Sequence, residues 1–178
     1  MPLATSLGLL ALVLLGAALV LSELDAALAY ATGRPRGVVR VASLDEAGAR
    51  LGARLLVPAY FPAGLEWPPA EVALSGRPAA VCLTFRSVET RRPAAILCQS
   101  ARGAADIPNR LLPAASPFHS LKVSLDGTEG TLSVFHEADG SVWQDLEMWR
   151  DGSRVVLRFH GGTERFLRLA ASLRRGRS

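Results

Sequence analysis

Three hydrophobic patterns succeed one another along the chain. The first is unbroken: residues 2–22 carry no charge, and residues 3–21 are almost entirely Leu, Ala, Val and Gly. That run meets the roughly 20 residues a helix needs to cross a bilayer, and it lacks the polar face that a soluble helix of this length shows. The second is helical. Ser43-Leu44-Asp45-Glu46 forms a capping box, Leu44, Ala47 and Leu51 recur on one helical face, and Gly52 supplies the stop. The third, strand-like alternation, occupies most of the remaining chain.

Short apolar strands are expected at 38–41 and 55–58. Pro58, Pro62, Pro68 and Pro69 then set the loop around Phe61 and Trp67 in an extended form that no helix can enter. Strands come next at 71–75, 79–88 and 94–100, and after an irregular stretch at 107–117 come four more, at 119–125, 131–136, 142–150 and 154–160. Asp126-Gly127, Asp139-Gly140 and Asp151-Gly152 separate the last four, and Asp-Gly between alternating runs is a strong hairpin signal. Gly161-Gly162 ends the final strand. Thr163 can cap a closing helix whose inward stripe is Phe166, Ala170 and Leu173. These elements define an α+β fold, an antiparallel β-sheet of consecutive hairpins covered on one face by an N-terminal and a C-terminal helix and preceded by one hydrophobic transmembrane or signal helix. The organisation is a membrane anchor or signal peptide at 1–29, a linker with a short strand at 30–41, the α+β domain at 42–174 and a basic tail at 175–178.

Two fates fit the apolar run. Ala27-Leu28-Ala29 before Tyr30 matches a small-x-small cleavage site, which would release a secreted domain, whereas the length of the run and the acidic Glu23 and Asp25 behind it suit an uncleaved single-pass anchor in contact with membrane lipid. Orientation is contested: no Lys or Arg precedes the run, while Arg34, Arg36 and Arg40 lie after it, and by the positive-inside rule those arginines hold the domain in the cytoplasm. The cysteines point the other way. Cys82 and Cys98, the only two, lie in apolar segments flanking the turn-like Glu89-Thr90-Arg91-Arg92-Pro93, and a turn centred on Thr90 sets them opposite each other. They are either a disulfide, which implies an oxidising compartment, or a pair of buried thiols. Their spacing is not of the zinc-binding type.

The 178 residues allow one domain of ordinary size behind the apolar run. The net charge of +4 is carried almost wholly by arginine, which raises the question of an anionic partner. The basic residues fall in separate groups (34–40, 91–92, 174–177) with acidic residues interspersed elsewhere, so they read as solvated faces and tails, and no nucleic acid is expected.

Candidate chemistry is sparse. His119, His136 and His160 lack ligand spacing, and His136-Glu137 has no second His to make a zinc-protease helix. Neither a nucleophile elbow nor a phosphate-binding or dinucleotide glycine loop occurs. No catalytic, cofactor-binding or metal residue is therefore assigned, and the chain is not read as an enzyme. Trp143 and Trp149 share one strand face with Asp145 and Glu147, while Val142, Leu146 and Met148 take the other, on which Leu146 and Met148 belong inside. With Trp67, the two tryptophans either line a surface for a partner or a lipid chain, or pack beneath the proline loop.

Two longer motifs carry a resemblance. Ser43-Leu44-Asp45-Glu46-Ala47 to Leu51-Gly52 leads into Leu55-Leu56-Val57-Pro58-Ala59-Tyr60-Phe61-Pro62-Ala63-Gly64-Leu65, and Leu146-Glu147-Met148-Trp149-Arg150-Asp151-Gly152 is followed by Arg168-Leu169-Ala170-Ala171-Ser172-Leu173. Over residues 42–173 this order resembles a bacterial extracytoplasmic domain family of unknown activity, found behind the transmembrane helix of anti-sigma factors and in stand-alone membrane proteins. The resemblance implies a non-catalytic domain that senses or scaffolds by binding another protein, without a cofactor. The chain lacks the zinc pattern and the cytoplasmic sigma-binding helices of many such proteins, so a role in that signalling would pass through a partner. A lipid or lipoprotein carrier using an apolar sheet face is the alternative.

Overall fold

Asp-Gly turns organise the second half of the fold. Asp126 and Gly127 adopt φ of 50° and 76°, and Asp151 and Gly152 adopt 54° and 79°, the paired positive values that a tight hairpin turn matched to strand twist requires. They connect β6 (His119–Leu125) to β7 (Thr128–His136) and β8 (Val142–Arg150) to β9 (Ser153–Phe159). The computed structural model describes residues 37–137 and 139–176; the apolar run, the Ala27-Leu28-Ala29 motif, Arg34 and Arg36 lie outside them.

The first half contributes β1 (Val38–Arg40), α1 (Leu44–Leu51), β2 (Leu56–Pro58), β3 (Glu71–Gly76), β4 (Ala79–Arg86) and β5 (Pro93–Ser100). The chain closes with α2 (Thr163–Ala171) and β10 (Leu173–Arg175). Eight strands form one antiparallel sheet in the order β1-β3-β4-β5-β9-β8-β7-β6, and β10 pairs with β2 in a separate two-stranded sheet. The expected consecutive hairpins are present, as the runs β3-β4-β5 and β6-β7-β8-β9. The second run folds back so that its last strand, β9, lies against β5. Residues 101–118 must therefore travel from β5 in mid-sheet to β6 at the far edge, and they do so as a strap across one face.

Both helices lie on the opposite face. The Ser43 hydroxyl accepts from the Glu46 amide at 3.1 Å, Glu46 Oε2 accepts from the Ala42 amide at 3.2 Å, and Gly52 stops α1 at φ 69°. Ala47 and Leu51 of α1 and Phe166, Leu169 and Ala170 of α2 join Val81, Leu83, Phe85, Leu97, Leu146, Met148 and Leu157 in the main core. Leu146 and Met148 are buried, as the alternation along β8 requires. Val142, on the same side of the strand but at its end, is exposed.

Two local expectations are corrected. Gly162, not Thr163, occupies the cap of α2, without a side-chain cap bond. The Thr163 hydroxyl donates instead to Gln144 Oε1 at 2.9 Å, which gives the buried Gln144 carbonyl a partner. The closing helix also stops two residues early. Leu173 is buried as expected, but as the first residue of β10, and Arg175, read as the start of a tail, pairs with Leu56. Ser172 makes the break by bonding back to the Leu169 carbonyl and accepting from the Tyr60 amide.

Candidate functional site

The strap face is built on different principles from the helix face. Adjacent strands present Cys82, Cys98, Val156, Glu147 and Thr131 in one cross-strand row and Ile96, Arg158, Asp145 and Ser133 in the next. At the centre Cys82 stands directly opposite Cys98, as a turn centred on Thr90 demands, and their sulfurs are at disulfide distance. Ile107 and Leu112 of the strap bury this pair together with Val156.

Toward the outer strands the same face turns polar. Arg158 lies directly opposite Asp145 and grips it with both arms of its fork, Nε to Oδ1 at 2.8 Å and Nη2 to Oδ2 at 2.7 Å. It is only 4% exposed, its Nη2 also donates to the Pro113 carbonyl at 3.1 Å, and its guanidinium lies 4.6 Å above the Phe135 ring. Arg154 holds Glu147 in the same way, at 3.0 and 2.9 Å, and donates to the Ala105 carbonyl. The Glu147 carboxylate accounts for the rise of the Arg154 pKa above its usual value, against the opposing effect of burial. Two bidentate ion pairs thus stitch β8 to β9 and hold the strap over both. Arg110 fastens the strap at its other side by donating to the Ser75 hydroxyl and the Arg77 carbonyl.

Between strap and sheet lies a cavity of about 560 Å³, lined by Pro108, Pro113, Thr131, Ser133 and the two ion pairs. All four carboxylate oxygens of the pairs accept from arginine, so none is a free base. The histidines stand apart: His119 is on edge strand β6, His136 stacks with Phe118, and His160 lies beside Trp143 with Nδ1 3.0 Å from the Val142 carbonyl. Among the described residues no group of three His, Cys, Asp or Glu is placed to hold a metal ion.

The three tryptophans do not form one surface. Trp67 is on the helix side, where its ring meets Phe61 at 4.9 Å and Phe85 at 6.2 Å. Trp143 and Trp149 are on the strap side, at opposite ends of β8 and roughly 20 Å apart at the rise of a strand. Trp143 shares a hollow with Pro62, Ala63, Gly64 and Leu65 of the loop that carries Trp67. Trp143 lies against His160 and donates to Ser141 at 2.9 Å, whereas Trp149 and Trp67 each remain 50% exposed. Beside Trp67 an open groove of about 720 Å³ runs along α1, with Leu44, Gly48, Leu55 and Val57 in its walls. It is the more apolar of the two hollows.

Sequence reading missed the two ion pairs and the strap cavity, although one signal was present. A two-residue turn at Asp151-Gly152 by itself places residue 145 opposite 158, a carboxylate facing a guanidinium. No known family model matches the chain, and no curated protein matches it either.

Proposed function

We propose that this chain is a membrane-held, extracytoplasmic sensory or protein-binding domain, non-catalytic and accessory to envelope or sigma-factor signalling. The observation that carries the reading is the Cys82–Cys98 pair, at disulfide distance beneath Ile107 and Leu112. A stable disulfide belongs to an oxidising compartment, and with the apolar run at residues 3–21 it favours a domain outside the cytoplasm. The resemblance of residues 42–173 to the extracytoplasmic domain of anti-sigma factors supports the same reading. For the contact itself, the Trp67 groove offers a half-exposed aromatic anchor with apolar walls, the composition that carries binding energy in protein recognition.

Thiol labelling of intact cells against lysed cells, before and after reduction, tests the address. Labelling of Cys82 and Cys98 only after reduction, in the membrane fraction, is expected; free thiols shielded until lysis would return the domain to the cytoplasm and end the proposal. A photo-crosslinking side chain at Trp67, compared with one at Trp149, tests the contact, and a protein adduct confined to position 67 is expected.

The Trp67 groove also favours a second reading, a lipid or lipoprotein carrier. Co-purification of stoichiometric lipid that is lost in Leu55→Asp would favour it over a protein partner.

A further inference from the structure

Four arginines from four separate elements converge where the β2–β10 sheet meets the main sheet. Arg54 comes after the Gly52 stop of α1, Arg102 comes after β5, Arg150 ends β8 and Arg175 ends β10. Buried Gln99 brings these ends together. Its side chain accepts from the Leu56 amide at 3.0 Å and donates to the Leu56 carbonyl at 3.3 Å, fixing β2, and therefore its partner β10, against the end of β5. Gly152 lets Arg102 lie across the β8–β9 turn: a Cβ at that glycine would stand 3.1 Å from Arg102 Cγ. The four side chains line a cleft of about 300 Å³ whose floor includes Gln99 and Ser153.

The balance of charge in its lining sets this cleft apart from the other hollows. Elsewhere some arginines are paired, such as Arg40 with Glu71, Arg154 with Glu147 and Arg158 with Asp145, and Arg92 and Arg165, unpaired among the described residues, share their hollow with the carboxylates of Glu89 and Asp139. In the cleft the one carboxylate is Asp151, and Arg175 Nε holds it at 2.9 Å. Arg54, Arg102 and Arg150 have no carboxylate within ion-pair distance among the described residues. Gathering like charges at one place raises the free energy of the compact state, and a bound anion offsets it.

We propose that this cleft binds a phosphate group. Guanidinium forks match phosphate oxygens two at a time. The excess of three positive charges in the lining suits the charge of about −1.5 to −2 on a phosphomonoester better than the single charge of a carboxylate. A soluble phosphomonoester offers both that charge and the forked oxygens, whereas a phospholipid phosphodiester offers the forked oxygens with a single charge; the proposal stands whether or not the domain also binds a protein at Trp67.

Arginine modification by phenylglyoxal, read residue by residue by mass spectrometry on the full chain in neutral detergent, tests it directly. Inorganic phosphate is the first probe, with chloride making up equal ionic strength, and Arg92 and Arg165, which line a different hollow, serve as references. At about four times the dissociation constant, occupancy should slow modification of Arg54, Arg102 and Arg150 about fivefold and leave the references unchanged. The combined substitution Arg54→Ala with Arg150→Ala should abolish protection of Arg102. Repeating the measurement in lipid nanodiscs separates the sources. Protection by phosphatidylglycerol but not phosphatidylcholine, without added phosphate, assigns a headgroup; protection by added phosphate in phosphatidylcholine discs assigns a soluble ester. Equal slowing of cleft and reference arginines, or no slowing with either probe, overturns the proposal.

Discussion

The helix face and the strap face of the sheet are both covered, but one is closed by hydrocarbon and the other is bridged by polar crosslinks around a cavity. On the helix face α1 and α2 set Ala47, Leu51, Phe166, Leu169 and Ala170 against a continuous floor of Val, Leu, Phe and Met. On the strap face a segment without regular secondary structure, residues 101–118, contributes only Ile107, Leu111 and Leu112 to the smaller cluster. The remainder of that cover is held by Arg154 and Arg158 and by Arg110 on Ser75, above a Cys82–Cys98 pair that ties β4 to β5 beneath it. A helix carries its own backbone hydrogen bonds and needs only an apolar stripe to dock. An irregular segment does not, and its carbonyls must find donors in the sheet. Arg158 and Arg154 are those donors for Pro113 and Ala105.

This difference can be broken from either side. The largest effect is expected on the helix face, where Phe166→Ala removes a fully buried ring and should destabilise the full chain by about 3–5 kcal/mol in urea unfolding. Next is Arg158→Met, which leaves the Asp145 carboxylate, itself mostly covered, without its counter-charge, at a cost of about 3 kcal/mol. The companion double variant Arg158→Met with Asp145→Leu should recover most of that loss. If it does not, the pair acts through the strap carbonyl and the Phe135 ring rather than through its own charge balance. Replacing both Cys82 and Cys98 by Ala releases a closed loop with a sequence separation of 16 and should cost about 2–3 kcal/mol by chain entropy. Limited proteolysis should then cut first within 101–118.

The smallest effect concerns the rim of the strap face. The Asp139 carboxylate accepts from the Ser141 hydroxyl and amide at 2.6 and 2.9 Å, which holds its pKa below the ordinary 3.8. A carboxyl whose folded pKa is depressed contributes stability above its unfolded pKa and loses it as pH falls through the folded value. Asp139→Asn should therefore lower the urea midpoint slightly at neutral pH and flatten its fall below about pH 4 by the same small amount, measured across the acid limb.

Much of this architecture was legible because it depends on residues near one another in sequence. The helix cap at Ser43, the stop at Gly52, the Asp-Gly turns and the burial of Leu146 and Met148 arise from side-chain period and from residues that tolerate positive φ. Turn position also carries register, which is why Cys82 opposite Cys98 could be read from Thr90, and why Asp145 opposite Arg158 could have been. Leu173 shows where such reading stops. Its spacing from Phe166 and Ala170 fits a helix equally well, and what makes it a strand residue is β2, more than 110 residues earlier.

By itself, then, the sequence determined the hairpins, the inward faces and the cysteine register, since each is decided within some twenty residues by backbone sterics and alternation. Only the tertiary structure decided that β9 lies against β5, that residues 101–118 therefore cross the sheet as a strap, that the three tryptophans part to two faces, and that Arg54, Arg102, Arg150 and Arg175 meet at one cleft. Those outcomes depend on which distant strands pair. That choice is made by the burial of the whole core at once rather than by any segment of it.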